Sequence, residues 1–176
     1  MAIVSNIRTL RTYLSENSNQ RPIYMTSGGF DPMHVGHVRC IAGTYTLASN
    51  KDIPPRQMKG LVVVVVNADS FLIRKKGYAF MPLQERMEII DAIEGVDFVV
   101  PWETDGDQTV CGAIEILKPT FFTKGGDRFD ASTIPEWSIC EKVGCEIITG
   151  VGKGGKIQSS SELIERANKF LGNNDE

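Results

Sequence analysis

The sequence predicts an α/β fold: a Rossmann-like, doubly wound parallel five-stranded sheet with helices on both faces, an α/β/α sandwich. Apolar, β-branched runs alternate along the chain with segments of helical periodicity, which is typical of this class. The run Leu61–Val66 is apolar at every position, as in a central strand covered on both faces. The length of 176 residues and the 41% hydrophobic content suit one domain with a full core.

Each element has its own signal in the chain. The expected strands are Pro22–Ser27, Leu61–Asn67, Val96–Pro101, Thr120–Lys124 and Cys145–Thr149. Helical stripes or end signals predict helices over Val35–Ser49, from Pro82 to Gly95, over Thr109–Leu117 and Ile134–Val143, and from Ser159, where Glu162 completes a capping box. We expect residues 1–176 to form one domain, with a peripheral N-terminal helix within 1–21, a surface loop at 50–60 and a frayed tail at 172–176.

Composition and charge limit the kinds of partner and site that the sequence predicts. The 19 Lys and Arg against 22 Asp and Glu give a net charge of −3, so a protein-wide basic field for gripping nucleic acid is absent. The four cysteines include no C-x-x-C pair and there are two histidines, so no structural zinc site is expected. The start lacks a secretory pattern, and the longest apolar run is far below the roughly 20 residues of a membrane helix. We therefore expect a cytoplasmic protein without membrane or nucleic-acid partners, and a homodimer by default.

The segment from Gly28 to His37 carries the strongest functional signal. In doubly wound sheets ligands bind beyond the carboxyl ends of the strands, and this segment follows the first strand. Gly28 and Gly29 would let the backbone approach a phosphate. His34 and His37, three residues apart, would share one face of a helix whose N-terminus attracts anions. The pattern favours a polyphosphate site over two ordinary histidines, since both histidines of the chain lie in one turn.

The string G-x-F-D-x-x-H-x-G-H resembles the signature of the cytidylyltransferase-like nucleotidyltransferases. Further motifs follow in the order of that family, from about residue 22 to 170: Asn67-Ala68-Asp69-Ser70, Pro82-Leu83-Gln84-Glu85-Arg86-Met87, Lys124-Gly125-Gly126-Asp127 and Ser159-Ser160-Ser161. Within the family the chain is most similar to heptose-phosphate adenylyltransferases, and next to glycerol-3-phosphate cytidylyltransferases.

The resemblance implies direct transfer of a nucleoside monophosphate from a nucleoside triphosphate to a phosphorylated sugar or alcohol, with release of pyrophosphate. ATP is favoured as donor and CTP comes next. Mg²⁺ would bridge the triphosphate, with no protein ligand assigned to it. Two alternatives stay open: a nucleotide-binding sensor that transfers nothing, and transfer to a phosphorylated acceptor that is not a sugar.

The resemblance also implies roles for individual residues. The catalytic residues would be His34, His37, Arg86, Lys75 and Lys76. The two lysines would lie, together with Arg74, in a mobile basic loop. The nucleotide would be bound by Gly28, Gly29, Phe30, Asp31, Gly36, Asp69, Lys124, Gly126, Asp127, Ser159, Ser160 and Ser161. The acceptor phosphate would meet Arg74 and Arg128.

Plainer interpretations compete with several of these roles. The basic loop would be merely solvated, and Arg86 would form a surface ion pair with Glu85 or Glu88. Asp31 and Asp69 would orient their loops or be ordinary helix caps, and the serines would be helix caps as well. Two departures from the family pattern, Arg128 after K-G-G-D and serines in place of threonines in the last motif, leave the acceptor open.

A rival phosphate-loop pattern occurs late in the chain. Gly150 to Lys156 nearly matches G-x-x-x-x-G-K-[ST], but Ile157 stands where a hydroxyl would bind magnesium. The segment is instead expected to be a basic loop in which Lys153 and Lys156 still reach a phosphate.

Overall fold

A computed structural model describes residues 2–50, 58–104, 106, 109–126, 130–152, 154 and 158–172. These residues form a parallel sheet of six strands in the order β1-β4-β3-β2-β5-β6. The strands are β1 (Ala2–Ile3), β2 (Ile23–Gly28), β3 (Leu61–Asn67), β4 (Phe98–Trp102), β5 (Phe121–Thr123) and β6 (Glu146–Ile148). All five predicted strands are present and the fold class is confirmed. The edge strand β1 was not predicted, because two residues carry no periodicity.

Seven α-helices connect and cover the strands in the described part of the chain. They are α1 (Ile7–Asn17), α2 (Val35–Ser49), α3 (Asp69–Lys76), α4 (Leu83–Asp91), α5 (Cys111–Leu117), α6 (Trp137–Val143) and α7 (Ser160–Gly172). A 3₁₀ turn occupies Ala131–Thr133. The bounds of α2 are those predicted from its periodicity. Among these helices, none is both long and apolar enough to cross a bilayer.

The central strand β3 explains why the sheet needs two helical layers. All seven of its residues are buried, and the six apolar ones, Leu61–Val66, alternate between two apolar clusters. Val63 and Val65 face a layer that contains α1, α5 and α6, whereas Val64 and its alternate neighbours face α2 and α4. The prediction that both faces of this strand are covered is therefore confirmed.

The first helix corrects one expectation. It was expected to be peripheral, but α1 buries Ile7, Leu10 and Leu14 in the core, and Leu10 is completely inaccessible. Asn6 caps the helix by accepting a hydrogen bond from the Thr9 backbone N–H at 2.9 Å. The helix thus belongs to one of the two layers that cover the sheet.

The order of the strands fixes where a ligand would bind. From β2 the chain proceeds outward to β3 and β4, and it then returns to place β5 and β6 on the other side of β2. The switch point lies between β2 and β5, so the segments that follow these strands face a common crevice.

Residues 51–57 of the expected 50–60 loop and residues 173–176 of the expected tail lie outside the described residues. The single domain and the homodimer stay predictions.

Candidate active site

Two adjoining cavities open at the carboxyl ends of β2, β3 and β5. The first, of about 340 Å³, is bordered by Lys75 and Lys76, and we call it the lysine cavity. The second, of about 380 Å³, is bordered by Gly125 and Gly126, and we call it the glycine cavity. Both cavities are lined by Ser27, Phe30, His37, Lys124 and Ser160, which form a shared wall. This is the location that the strand order predicts for a ligand.

A larger groove of about 800 Å³ lies elsewhere, between α1, α5 and α6. It is lined in part by Arg8, Arg11 and Lys142, and Lys142 forms an ion pair with exposed Glu115 at 2.7 Å. None of the residues that line it follows a strand. Because the chemistry-bearing motifs gather at the switch point, we place the site there and not in this larger groove.

The loop between β2 and α2 shapes the shared wall. Phe30 takes the left-handed conformation, with φ of 53°, and its buried ring meets the His37 ring edge to face at 5.2 Å between centroids. A Cβ on Gly29 would lie 2.7 Å from Leu72, and one on Gly28 would lie 3.2 Å from the Phe30 ring. Neither glycine has positive φ. Both glycines are therefore favoured by close packing, and their predicted contact with a phosphate stays a prediction.

His34 and His37 contact each other and cap the N-terminus of α2. His34 is the N-cap, and its Nδ1 accepts a hydrogen bond from the Gly36 backbone N–H at 3.1 Å. His37, three residues on, returns the contact: its Nδ1 accepts from the His34 backbone N–H at 3.3 Å. The two rings stack with centroids 3.8 Å apart. Because each Nδ1 is an acceptor, each neutral ring carries its proton on Nε2 and keeps that N–H as a donor.

Burial keeps both imidazoles neutral. Desolvation lowers the pKa of His34, although the Glu162 carboxylate opposes the shift. Desolvation, with smaller contributions from His34 and Lys76, lowers the pKa of His37 to about 4. The expected pairing of the two histidines is thus present, and both rings line the glycine cavity as neutral hydrogen-bond donors.

Glycine at position 36 allows this arrangement. A Cβ there would lie 2.9 Å from Cε1 of the His34 ring, which folds back over the first turn of α2. Any larger residue would push the capping ring away. The glycine of the H-x-G-H motif therefore acts on the histidine pair, and it also lines the glycine cavity.

Asp31 is a positioning residue in this structure. Its side chain is fully buried, and its two carboxylate oxygens accept the backbone N–H groups of Phe80 and Met81 at 2.8 and 2.7 Å. Lys76 lies 3.3 Å from the same carboxylate and donates to the Asp31 carbonyl at 2.6 Å. Asp31 therefore ties the loop before α2 to the segment before α4. Asp31 caps neither helix. It borders the lysine cavity, and nucleotide binding by this residue stays a prediction.

Arg86 also departs from its predicted role. It is completely buried, and it donates to the carbonyls of Met81, Gly29 and Asn67 at 2.9, 2.6 and 2.7 Å. It also pairs with Asp69. Neither a phosphate contact nor a surface ion pair with a neighbouring glutamate fits this arrangement. Arg86 instead fixes the carboxyl ends of β2 and β3, and Asp69, the first residue of α3, is its counter-ion and not a cap.

The three basic residues expected in a loop form the last turn of α3, and Gly77 ends the helix with φ of 85°. Cations at a helix C-terminus are favoured by its dipole. Lys75 and Lys76 line the lysine cavity, and the Lys75 ammonium lies over the Phe71 ring at 5.6 Å. Arg74 does not line either cavity and donates to the Thr104 carbonyl at 2.7 Å. The structure thus separates Arg74 from the two lysines.

The segments after β5 and before α7 complete the shared wall. Lys124 lines both cavities, and its ammonium lies 3.5 Å from Oε1 of Glu136. Gly126 has φ of 80° and borders the glycine cavity. Asp127 and Arg128, predicted to meet the nucleotide and the acceptor, lie outside the described residues, as do Lys153 and Lys156.

The predicted capping box of α7 is present. The Ser159 hydroxyl accepts the Glu162 backbone N–H, and the Glu162 carboxylate accepts the Ser159 backbone N–H, both at 3.2 Å. Ser160 lies on the shared wall and donates to the Pro32 carbonyl at 3.0 Å, while Ser161 lines the lysine cavity. Capping and a place beside a ligand are therefore compatible here; phosphate binding by these serines stays a prediction.

Two buried polar residues of the lysine cavity were missed by sequence reasoning. Asn67 is the last residue of β3, and Glu136 directly precedes α6. Asn67 stands in the quoted V-N-A-D string, so its place after a strand was an available signal. Glu136 has no such signal, because its distance from the other motifs along the chain hides their proximity.

The comparisons with known proteins agree with the fold and the motifs. The model of the cytidylyltransferase-like family matches residues 25–149, which include both histidines and all strands from β3 to β6. The chain belongs to the cytidylyltransferase-like family. The histidine motif predicted this membership.

Curated members of the family give a finer comparison. The chain is 33% identical over 127 residues to the bifunctional protein HldE of Hahella chejuensis, a match covering 71% of this chain and 24% of that protein. It is 36% identical over 107 residues to the HldE of Yersinia pestis, covering 60% of this chain and 20% of that protein. The matched region thus spans a quarter or less of the length of these relatives.

Solved structures of similar fold are more distant in sequence. The lipopolysaccharide core biosynthesis protein of Thermoplasma volcanium has a TM-score of 0.57 and 21% identity, covering 76% of this chain and 98% of that one. The pantoate–β-alanine ligase of Francisella tularensis has a TM-score of 0.60 and 14% identity, covering 96% and 77%. At these identities the two structures support the fold alone.

Proposed function

We propose that this cytidylyltransferase-like protein transfers a nucleoside monophosphate from a nucleoside triphosphate, with ATP favoured and CTP next, to a phosphorylated sugar or alcohol. The observation that carries the proposal is the stacked pair of neutral histidines, with His37 on the wall that the two cavities share. A transferase needs two substrates to meet at one phosphorus atom, and two adjoining cavities with donors on their common wall suit that need.

The donor is assigned to the glycine cavity and the acceptor to the lysine cavity. A phosphate oxygen of the acceptor attacks the α-phosphorus of the donor; the new P–O bond forms as the bond to the β-phosphate breaks, and pyrophosphate leaves with that electron pair. The acceptor phosphate is already ionised near neutral pH, so the step needs no general base. The Nε2–H groups of His34 and His37 and the Lys124 ammonium stabilise charge on the phosphate oxygens in the transition state.

Magnesium is proposed to bind through the phosphates of the donor. Within the described residues, no group of three histidine, cysteine or acidic side chains is arranged to hold a metal ion. Asp31 and Glu136 both line the lysine cavity: the Asp31 carboxylate accepts two backbone N–H groups, and Oε1 of Glu136 lies 3.5 Å from Lys124. Mg²⁺ keeps most of its ligands as water and phosphate oxygen, so this donor set is compatible with it, and its charge would offset that of the triphosphate.

The choice of substrates rests on sequence likeness. The K-G-G-D string and the identity to the HldE proteins favour ATP as donor and a sugar phosphate as acceptor. Nucleoside triphosphates and sugar phosphates are both small cytoplasmic metabolites, and we propose the cytoplasm as the compartment.

A substrate matrix tests the proposal. Four nucleoside triphosphates are combined with a panel of phosphorylated sugars and alcohols, with Mg²⁺, and pyrophosphate release is measured. We expect release with ATP that depends on one acceptor class and that disappears in a His37→Ala preparation, which controls for contaminating activity. Nucleotide binding without release under any acceptor would contradict transfer and favour a nucleotide sensor.

A further inference from the structure

Two buried hydrogen-bond acceptors at the lysine cavity have no partner within the described residues. They are Oδ1 of Asn67 and Oε2 of Glu136. Asn67 is 6% exposed and Glu136 is 5% exposed, and both residues line the cavity. A buried polar atom without a hydrogen bond costs about 1–3 kcal/mol of stability, so such atoms are rare unless a ligand satisfies them.

The fold holds both side chains without using these atoms. Asn67 is fixed through its backbone, since its N–H and C=O belong to the end of β3 and Arg86 donates to its carbonyl at 2.7 Å. Glu136 stands at the N-cap of α6, where a carboxylate commonly accepts a backbone N–H, yet its side chain makes no such bond. Its other oxygen, Oε1, reaches Lys124 at 3.5 Å. Neither free oxygen is therefore explained by local structure.

The chemistry of the cavity limits what those oxygens can bind. Both are acceptors, so the ligand must bring donors. Lys75 and Lys76 border the same cavity, and they favour a ligand with an anionic group. A molecule that carries a phosphate for the lysines and hydroxyl groups for the two acceptors meets both requirements.

We infer that Glu136 and Asn67 accept hydrogen bonds from hydroxyl groups of the acceptor, so that the lysine cavity selects polyhydroxylated phosphates over phosphates with a plain alkyl chain. The inference rests on the proposed function, which identifies the ligand of this cavity as the acceptor, but it concerns binding and does not require transfer. A site built to hydrogen-bond a hydroxyl rejects an analogue without it, because its own buried groups then stay unpaired.

The test compares ligands that differ only in hydroxyl groups. The probes are glycerol 3-phosphate against propyl phosphate, and mannose 1-phosphate against cyclohexyl phosphate. Dissociation constants are measured on the full chain by calorimetry or by ligand-detected NMR, with no nucleotide required. We expect the wild type to bind at least one hydroxylated probe about tenfold or more tightly than its plain partner, the effect of one charge-assisted hydrogen bond.

Two variants assign that preference to the residues. Glu136→Gln keeps the size of the side chain and replaces a charge-assisted hydrogen bond to the ligand hydroxyl by a weaker neutral one. Asn67→Leu removes the second acceptor at similar volume. Each should lower the hydroxyl preference, which is the ratio of the two affinities, to about threefold or less. Glu115→Gln, which alters a Lys–Glu pair outside both cavities, is the charge-matched control and should leave the preference intact.

The outcomes separate this inference from the proposed function. No hydroxyl preference in the wild type, or a preference that survives in both variants, overturns the inference even if pyrophosphate is released. A preference that Glu136→Gln or Asn67→Leu abolishes supports it even if no acceptor gives pyrophosphate, a result that would overturn transfer alone. Thermal unfolding checks that each variant is folded. If one of the two variants is not folded, the hydroxyl preference of the other variant decides the outcome.

Discussion

The two ring nitrogens of His34 and of His37 differ in their surroundings. Nδ1 binds the backbone at the start of α2, and Nε2 is available to a ligand. Their Nδ1 atoms accept backbone N–H groups, and burial lowers the pKa of both rings. A proton added at Nδ1 would break a capping bond, so the rings act as neutral Nε2–H donors. Removing either ring should also cost stability, because each ring is part of a capping box.

At this scale, His34→Ala and His37→Ala should each lower turnover by about 10²-fold or more, since a transition-state donor is lost. Each should also lower the free energy of unfolding by about 1 kcal/mol, the usual cost of a lost cap. His34→Asn and His37→Gln keep a capping acceptor, so they should recover stability but not turnover. Turnover comes from pyrophosphate release and stability from urea unfolding. Near wild-type turnover in either alanine variant would contradict the assigned role.

The helix α3 presents its basic last turn to the site in a selective way. Lys75 and Lys76 line the lysine cavity, whereas Arg74, one residue earlier, donates to the Thr104 carbonyl. A helix turns about 100° per residue, so neighbouring side chains point in different directions and three adjacent cations need not act together. Lys76 is further engaged with Asp31, which makes Lys75 the cleaner probe of phosphate binding.

For this element, Lys75→Ala should raise the KM for the phosphorylated acceptor by about tenfold, the effect of losing one contact worth roughly 1.4 kcal/mol. Arg74→Ala is the matched control: it removes the same charge from the same helix turn, and it should leave that KM within about twofold. Steady-state kinetics at fixed ATP distinguish the two. Equal effects of both substitutions would mean that the cations act only through their overall field, and no effect of either would mean a merely solvated helix end.

The whole molecule couples its site to its stability. Lys76, Asp31, Arg86 and Asp69 join α3 and α4 to the ends of β2 and β3, so the same contacts hold the fold and shape the cavities. The buried histidine pair adds a dependence on pH. In the unfolded chain His37 has an ordinary pKa near 6.5, but in the folded chain burial lowers the pKa to about 4.

Between these two values the unfolded state binds more protons, so the free energy of unfolding should fall as the pH is lowered from about 6.5 to about 4, and His37 should add nothing to the slope above that window. His37→Gln, which cannot titrate, should show a shallower slope across the same range. Urea unfolding at intervals of half a pH unit measures both. Parallel curves for the two proteins would show that His37 is not held neutral by the fold.

How far the sequence could predict this site depends on whether a signal is local. The histidine pair, the all-buried β3 and the Ser159–Glu162 capping box were all predictable, because each is written in residues a few positions apart. The helical form of residues 69–76 was not, since eight residues with a weak apolar stripe leave helix and loop indistinguishable.

The sequence by itself determined the fold class, and it predicted a candidate site after β2 with its two histidines, since periodicity and turn chemistry act over short spans of chain. Only the tertiary structure decided the roles that depend on partners distant in sequence. Arg86 was expected at a phosphate and is instead buried against carbonyls 57 and 19 residues away. Glu136, which lies in no recognisable sequence motif, lines the lysine cavity, and its Oε2 has no hydrogen-bond partner within the described residues. Whether a polar side chain faces a ligand or a carbonyl is settled by packing, because the cost of burying it unpaired depends on every group around it.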